Sequence, residues 1–246
     1  MSGVTAIIPA RSGSKSIIDK NIIKLSGHPV IAYSIASAKL SKKIDRIVVS
    51  TDSQEYAEIA IRYGAEVPFI RPDEISTDDS EDKDFILHAL EWFKKEENKI
   101  PEFIIHLRPT TPLRDPLIID DACNTIIYNE KCTSLRSAHP APESPFKWFK
   151  RNDEGYFINM IDHSSKIDFL NAPKESFDTV FIPNGYVDIL KTKYILDNYN
   201  IHGDNVFGYI SPSCTEIDSL EELEYVAFQL KKNQSCLLNY LNKKNN

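Results

Sequence analysis

The segment AIIPARSGSKSIIDKN, residues 6–21, carries an apolar run straight into three cations, Arg11, Lys15 and Lys20, with Ser12, Gly13 and Ser14 between the first two. A buried-type strand that ends in a small-residue loop is how a parallel α/β sheet presents backbone N–H groups to a ligand. The pattern continues outward from it. Residues 29–40 place apolar side chains at helical spacing, with Pro29 at a first-turn position. Residues 46–51 (RIVVST) read as a second buried strand, and residues 54–63 as a helix stopped by Gly64. Residues 66–71 read as strand, 72–79 as a polar loop, and 80–95 as a helix with Phe85, Ile86, Ala89, Leu90 and Phe93 on one stripe. Strand 103–108 and helix 116–130 follow. This alternation predicts a doubly wound, mostly parallel sheet. Ligands of such sheets lie outside the carboxyl ends of the strands. Three polar stretches fall there: 11–15, 50–53 and 108–114.

Composition narrows the function. The chain has 246 residues and a net charge of −7, which argues against broad nucleic-acid binding through counterion release. No run is long enough for a membrane span, and the N-terminal apolar run, broken by Pro9, is too short for a secretory signal. The four cysteines lack C-x-x-C spacing and the six histidines form no H-x-x-x-H pair, so reduced thiols in a cytoplasmic protein are expected and a zinc site is not. Regular patterning lapses over residues 138–178, which are rich in proline and aromatics. That stretch reads as an insertion packed on something else. Strand character returns over 180–190 and 206–210, a helix is expected over 220–230, and the Asn- and Lys-rich tail, 235–246, is expected to fray.

The first loop is not a Walker A loop: Ser14 rather than glycine precedes Lys15, and Pro9 lies five residues before Ser14. The dinucleotide fingerprint G-x-G-x-x-G is absent as well. What remains is a turn with free backbone donors, a planar guanidinium fork and point-charge ammonium groups, a set suited to a polyphosphate or to nothing more than a solvated basic loop.

IPARSGSKSIIDKN (residues 8–21) resembles the signature of the acylneuraminate cytidylyltransferases, and VVSTD (48–52), YGAEVPFIRP (63–72), LRPTTPLR (107–114), PNG (183–185) and EID (216–218) stand in that family's order. The resemblance implies a Rossmann-like core of the nucleotide-diphospho-sugar transferase type. It also implies a homodimer whose arm, here 138–178, reaches toward the partner's active site. The implied reaction joins CTP to an α-keto acid sugar, giving a CMP-sugar and pyrophosphate. By resemblance Arg11, Lys15 and Lys20 hold the triphosphate, Asn21 and the backbone of Ala10 to Ser12 meet the nucleotide, and Arg11, Lys20 and Asp218 are catalytic.

Mg²⁺ or Mn²⁺ is expected. Glu216 and Asp218, at i and i+2, share one side of an extended segment. The family usually has Asp-x-Asp there, which makes Asp218 the firmer ligand; alternatively both carboxylates only open the helix at Ser219. Asp52 faces the nucleotide or its metal, or caps the helix at Gln54. Arg71 is a nucleotide contact or a surface charge. Ser80 lies in the loop that meets the ribose or base in relatives, or starts a helix. Arg108 stands where many sialic acid-activating relatives have Gln, between nucleotide and sugar. Arg114 contacts either the core or the substrate. Asn184 and Tyr186 are sugar-site candidates by motif, with Asn184 alternatively a turn residue. Lys147, Lys150, Arg151 and Lys166 are candidates for a cation lent to a partner's sugar carboxylate. The acceptor expected is sialic, legionaminic or pseudaminic acid. An eight-carbon keto-deoxy acid, another nucleotide, or a non-catalytic nucleotide-binding role are the alternatives.

Overall fold

The computed structural model describes residues 3–161, 167–232 and 235–244. The chain opens with β1 (Val4–Pro9), a short hairpin of β2 (Lys24–Leu25) and β3 (His28–Pro29), and helix α1 (Val30–Leu40). β4 (Arg46–Ser50), α2 (Gln54–Arg62) and α3 (Asp82–Trp92) follow. α3 runs into a π-helical turn, Phe93–Glu97, and then β5 (Phe103–His106) and α4 (Pro116–Ile127). β6 (Ser134–Pro140) leads into the hairpin of β7 (Phe149–Arg151) and β8 (Phe157–Asn159). The chain ends with β9 (Phe181–Lys191), α5 (Thr192–Asn198), β10 (Val206–Ile210), α6 (Leu220–Lys232) and α7 (Cys236–Lys244).

The central sheet has the order β10-β6-β9-β5-β1-β4. All strands but β9 run the same way, with β9 antiparallel to both β5 and β6. Pro9 pairs with Ser50 and Ile7 with His106, so β4, β1 and β5 end side by side. The three polar stretches anticipated from sequence therefore leave one edge of the sheet together.

Local chemistry explains the helix starts. Ser53 caps α2 by accepting from Tyr56 N at 3.3 Å. Glu81 and Asp84 form a reciprocal capping box at α3. Asp115 accepts from Leu117 N at the start of α4, where Pro116 takes the first turn. α1 is buried from Val30 through Ala38 because helices cover its outer side as well as the sheet its inner one.

Three expectations change. Residues 66–71 form no strand; a single bridge from Glu66 to Val48 and the bond from Arg71 N to Thr51 O carry the chain along β4. Pro29 stands at the N-cap of α1 rather than inside it. The tail does not fray over Cys236–Lys244: Leu237 and Leu241 bury themselves against Ile17, Leu25 and Tyr33, so the tail closes a core cluster that α1 alone would leave open. In the described part of residues 138–178, Ala141, Ser144, Asn159 and Leu170 are buried, but much of the aromatic surface is not. Trp148, Phe149, Tyr156, Phe157 and Phe169 are exposed, with Phe149 and Phe157 stacked at 5.3 Å.

Candidate functional site

A cleft of about 220 Å³ lies at the carboxyl ends of β1, β4 and β5. Arg11, Lys20, Asn21, Arg71, Ser80 and Arg108 line it, from stretches up to 97 residues apart in the chain (11 to 108). Asp82, Phe85 and Thr110 complete its walls.

The first loop is held by its backbone. Ala10, fully buried, donates its N–H to Ser50 O at 2.9 Å. Asp52 accepts from Ser12 N at 2.7 Å and from Ser12 Oγ at 2.6 Å. Asp52 thus ties the first loop to the end of β4, and the cap of α2 belongs to Ser53. Asn21 donates from Nδ2 to Arg11 O at 2.9 Å, joining the two ends of the loop. Gly13 adopts φ of 69°, a left-handed turn that favours glycine. Ala10, Ser12 and Lys15 do not line the cleft with their side chains; Lys15 is 82 % exposed.

Most of the cations have carboxylate partners. Arg11 donates to Asp78 Oδ1 at 2.6 Å, and Lys15 pairs with the other oxygen of the same carboxylate. Those two hydrogen bonds, Lys15's first, hold the Asp78 carboxyl below its ordinary value. Lys20 Nζ meets Asp218 Oδ1 at 2.7 Å, with the lysine nearly buried and the aspartate exposed. Arg71 is different. It is 4 % exposed, donates to Ser50 Oγ and to Ser50 O, and lies over the Phe85 ring at 5.1 Å. Burial lowers its pKa to about 10, which still leaves it charged at neutral pH. It is therefore a cation built into the cleft wall rather than a surface charge.

Glu216 and Asp218 flank Ile217, which is fully buried and donates its N–H to Thr110 O at 2.8 Å. Neither carboxylate lines the cleft, but each meets a residue that does: Glu216 accepts from Thr110 Oγ1 at 2.9 Å and Asp218 from Lys20. Neither is spent on starting α6. Ser219 and Glu222 do that between themselves, with Ser219 Oγ accepting from Glu222 N and the Glu222 carboxylate accepting from Ser219 N and Asp218 N.

At the far end Arg108 pairs with Asp82 Oδ2 and, at 3.3 Å, with Asp188 Oδ2. Sequence reading missed Asp82, Asp78 and Asp188, because nothing local distinguishes a carboxylate on a helix start, a polar loop or a strand from a solvated one. The LRPTTPLR loop is anchored by Arg114, which is 1 % exposed. Its Nε donates to Tyr186 O, its Nη1 to Ser34 Oγ and Thr111 O, and its Nη2 to Arg108 O and Gly185 O. All five donors are satisfied by neutral acceptors, so Arg114 contacts the core and shapes the loop.

The same anchoring ties Asn184 and Tyr186, the sugar-site candidates, to the scaffold. Asn184 Oδ1 accepts from Ser137 Oγ and its Nδ2 donates to Ser211 Oγ at 2.8 Å; Tyr186, 3 % exposed, accepts at its hydroxyl from Asp115 N. Neither lines the cleft, because β9 turns both side chains into the scaffold. Ser80 does line it, with Oγ bonded to Thr77 N at 3.0 Å, while the cap of α3 falls to Glu81. Lys147 donates to Ala172 O within the insertion, Lys150 and Arg151 are exposed on β7, and Lys166 lies outside the described residues. Among the described residues no three His, Cys, Asp or Glu side chains converge into a complete metal cage. None of the described helices is long and apolar enough to cross a membrane.

The cytidylyltransferase family profile matches residues 5–192. A pseudaminic acid cytidylyltransferase of Campylobacter jejuni is 40 % identical over 228 residues, which are 92 % of this chain and 96 % of that protein. An N-acylneuraminate cytidylyltransferase of Escherichia coli is 30 % identical over 97 % of this chain; the chain spans about half of that longer relative, 55 %. A CMP:2-keto-3-deoxy-manno-octonic acid synthetase complexed with CTP shares the fold at a TM-score of 0.70, over 94 % of this chain and 99 % of that one, with 14 % identity. The chain belongs to the cytidylyltransferase family.

Proposed function

We propose that this protein transfers CMP from CTP to the anomeric hydroxyl of a nonulosonic acid, releasing pyrophosphate. The observation that carries the reading is the convergence of Arg11, Lys20, Arg71 and Arg108 on one cleft at the carboxyl edge of the sheet, with Asp218 held against Lys20. Four cations in a cleft of an acidic chain fit a polyanion, and a triphosphate is the polyanion that relatives of this family use.

In this reaction the sugar oxygen forms a bond to the α-phosphorus, the bond from that phosphorus to the bridging oxygen of pyrophosphate breaks, and the hydroxyl proton is released. Most of the acceleration comes from positioning and charge stabilisation. Lys20 and Arg11 neutralise the charge that builds on the departing pyrophosphate. Arg71, fixed by Ser50 and Phe85, holds the nucleotide end, and the backbone around Ala10 and Asn21 confines the base. Ser80 stands at the ribose side of the cleft.

A divalent cation, Mg²⁺ or Mn²⁺, fits the donor set. Such ions take one or two protein carboxylates and complete their shell with substrate phosphate oxygens and water. Asp218, exposed and bonded to Lys20, and Glu216, on Thr110, are the groups that would hold it. The ion would supply a compact positive charge to the triphosphate oxygens. The Lys20–Asp218 pair keeps both partners in place until the nucleotide arrives, when Lys20 turns to phosphate.

We also read the exposed aromatic arm as the contact of a homodimer. Large apolar side chains left exposed along one segment fit an interaction site. Lys150 and Arg151, exposed beside it, are then available to a partner's cleft. Size-exclusion chromatography with light scattering reads the dimer directly, and a monomer at micromolar concentration would reject it.

The test of the reaction is pyrophosphate release from CTP and Mg²⁺ with N-acetylneuraminic, legionaminic, pseudaminic and eight-carbon keto-deoxy acids in parallel, and with GTP and UTP as nucleotide controls. Release with one nonulosonic acid and CTP is the expected result. Release only with the eight-carbon acid, or only with another nucleotide, overturns the reading.

A further inference from the structure

Lys20 and Asp218, paired beside the cleft, come from segments 198 residues apart. Their bond at 2.7 Å does not by itself set their register, because Asp218 is 60 % exposed and an exposed ion pair contributes little. Each segment, however, sends one isoleucine into the same apolar cluster. In the first loop Ile17 is 7 % exposed while its neighbour Ile18 is 83 % exposed, so Ile17 is the anchor. The Ile17 carbonyl accepts from Lys20 N at 3.2 Å, one turn from anchor to lysine. In the other segment Ile217, fully buried, stands between Glu216 and Asp218.

The cluster that receives both isoleucines is walled by three helices. α1 supplies Val30, Tyr33 and Ala36, α6 supplies Val226 and Leu230, and α7 supplies Leu237 and Leu241. The two leucines of α7 recur at i and i+4, so they share one face, and both are buried. α7 makes a second tie. Asn242 Oδ1 accepts from His28 Nε2 at 2.9 Å, and the buried His28 sits on the β2–β3 hairpin that follows Asn21. The last helix therefore grips the body that carries Lys20 from the core and from the hairpin. It does so from outside residues 5–192, the span that the family profile matches.

We propose that α7 is a positioning element for the transfer reaction: Leu237 and Leu241 clamp Ile17 and Ile217 into one core, Asn242 fixes the hairpin, and together they set Lys20 against the Glu216 and Asp218 carboxylates. This rests on the reading of the cleft as a cytidylyltransferase site. None of the three residues lines the cleft, and all act through the two isoleucines or the hairpin. Close-packed interiors transmit a displacement instead of absorbing it. A cavity left by a shortened leucine frees the two anchors to relax in different directions. A misplacement of about 1 Å at the reacting groups costs on the order of a hundredfold in rate.

The test compares variants in pyrophosphate release from CTP and Mg²⁺, at a temperature where each is folded. The acceptor is whichever of N-acetylneuraminic, legionaminic and pseudaminic acid the unmutated protein uses fastest. Leu237→Ala and Leu241→Ala should each lower kcat roughly tenfold or more and raise the Mg²⁺ midpoint roughly threefold or more. Ile126 is the control, buried beside Val4 and Phe103 at the amino-terminal edge of the sheet, away from the cleft. Ile126→Ala should lower the unfolding temperature comparably and leave kcat and the Mg²⁺ midpoint within about twofold. Leu241→Met, which nearly conserves volume, should restore both values to within about twofold. In a Lys20→Ala background, Leu241→Ala should lower kcat by less than about twofold further, because the register of an absent ammonium no longer matters. Equal losses in the two backgrounds, or losses in Ile126→Ala that match those of the leucine variants, would make α7 a stabiliser of the fold alone and overturn the proposal. Should the leucine variants fail to fold, Asn242→Ala, which leaves the core intact, decides: a fall in kcat of roughly threefold upholds the proposal and an unchanged kcat overturns it. No turnover by the unmutated protein with any sugar acid overturns the reaction itself, and the proposal with it.

Discussion

At the end of the cleft formed by the first loop, Arg11 and Lys15 share one solvent-facing carboxylate, Asp78, and Lys20 meets the exposed Asp218. At the other end Arg108 lies between Asp82 and the buried Asp188, on a loop bolted down by Arg114. Exposed pairs are weak and screened, so they give way to a ligand that offers more charge. Buried pairs are costly to break because the abandoned charge stays out of water. The difference lies in Asp188: Asp78 and Asp82 are exposed to a similar degree, but Arg108 also has a partner that is 2 % exposed and would be stranded out of water if the guanidinium left.

The sharpest way to break this comparison is Lys20→Ala. On the proposed role of Lys20 in neutralising the reacting phosphates, its loss should lower kcat by roughly a hundredfold to a thousandfold, while loss of its pair with the exposed Asp218 should change the unfolding temperature little. Near-normal kcat would make Lys20 a spectator. Arg114→Ala tests the opposite end, where the expected loss is in the fold. Five hydrogen bonds vanish and four buried carbonyls lose a donor, so the denaturation midpoint should drop by the equivalent of about 3 kcal/mol or more. A midpoint within error of the unmutated protein would mean that water replaces the guanidinium. Asp218→Asn should shift the Mg²⁺ midpoint for turnover upward by roughly tenfold, and an unmoved titration would place the ion elsewhere.

Two smaller effects refine the contrast. Burial pushes the Asp82 carboxyl up, but the surrounding cations outweigh burial and hold it below its ordinary 3.8. A carboxyl depressed on folding stabilises the fold above its unfolded pKa and loses that contribution as the pH falls through its folded value. The unfolding temperature of Asp82→Asn should therefore trail the unmutated protein at pH 7 and converge with it below about pH 3.8. A gap that persists in acid would assign the loss to packing. Smallest is Asp78→Asn. Removing the carboxylate that occupies Arg11 and Lys15 should tighten CTP binding by roughly two- to fivefold at low salt, and less at high salt. Weaker binding would show that Asp78 helps to hold the nucleotide.

Much of the fold was legible in the chain. The strand runs at 4–8 and 46–51, the helix stripe of Phe85, Ile86, Ala89, Leu90 and Phe93, and the polar stretches after each strand all follow from side-chain periodicity, which is a local property. The strand expected at 66–71 did not form although β4 is an edge strand: Pro68 has no N–H with which to extend the ladder past the single Glu66–Val48 bridge. The tail misread as fraying is polar in composition, but Leu237 and Leu241 recur at i and i+4 and found an open apolar face on α1.

The candidate site divides along the same line. Residue types and spacing by themselves singled out Arg11, Lys15 and Lys20 as cations in a small-residue loop after the first strand, because a loop's composition is written in contiguous residues. Only the tertiary structure decided that Arg108 is neutralised by Asp82 and Asp188, that Arg114 is a bolt rather than a ligand, and that Asn184 and Tyr186 face the scaffold. Those outcomes depend on pairings 26 and 80 residues apart. Electrostatic energy is set by distance and burial in space, and the order of residues along a chain specifies neither until the sheet brings the strands together.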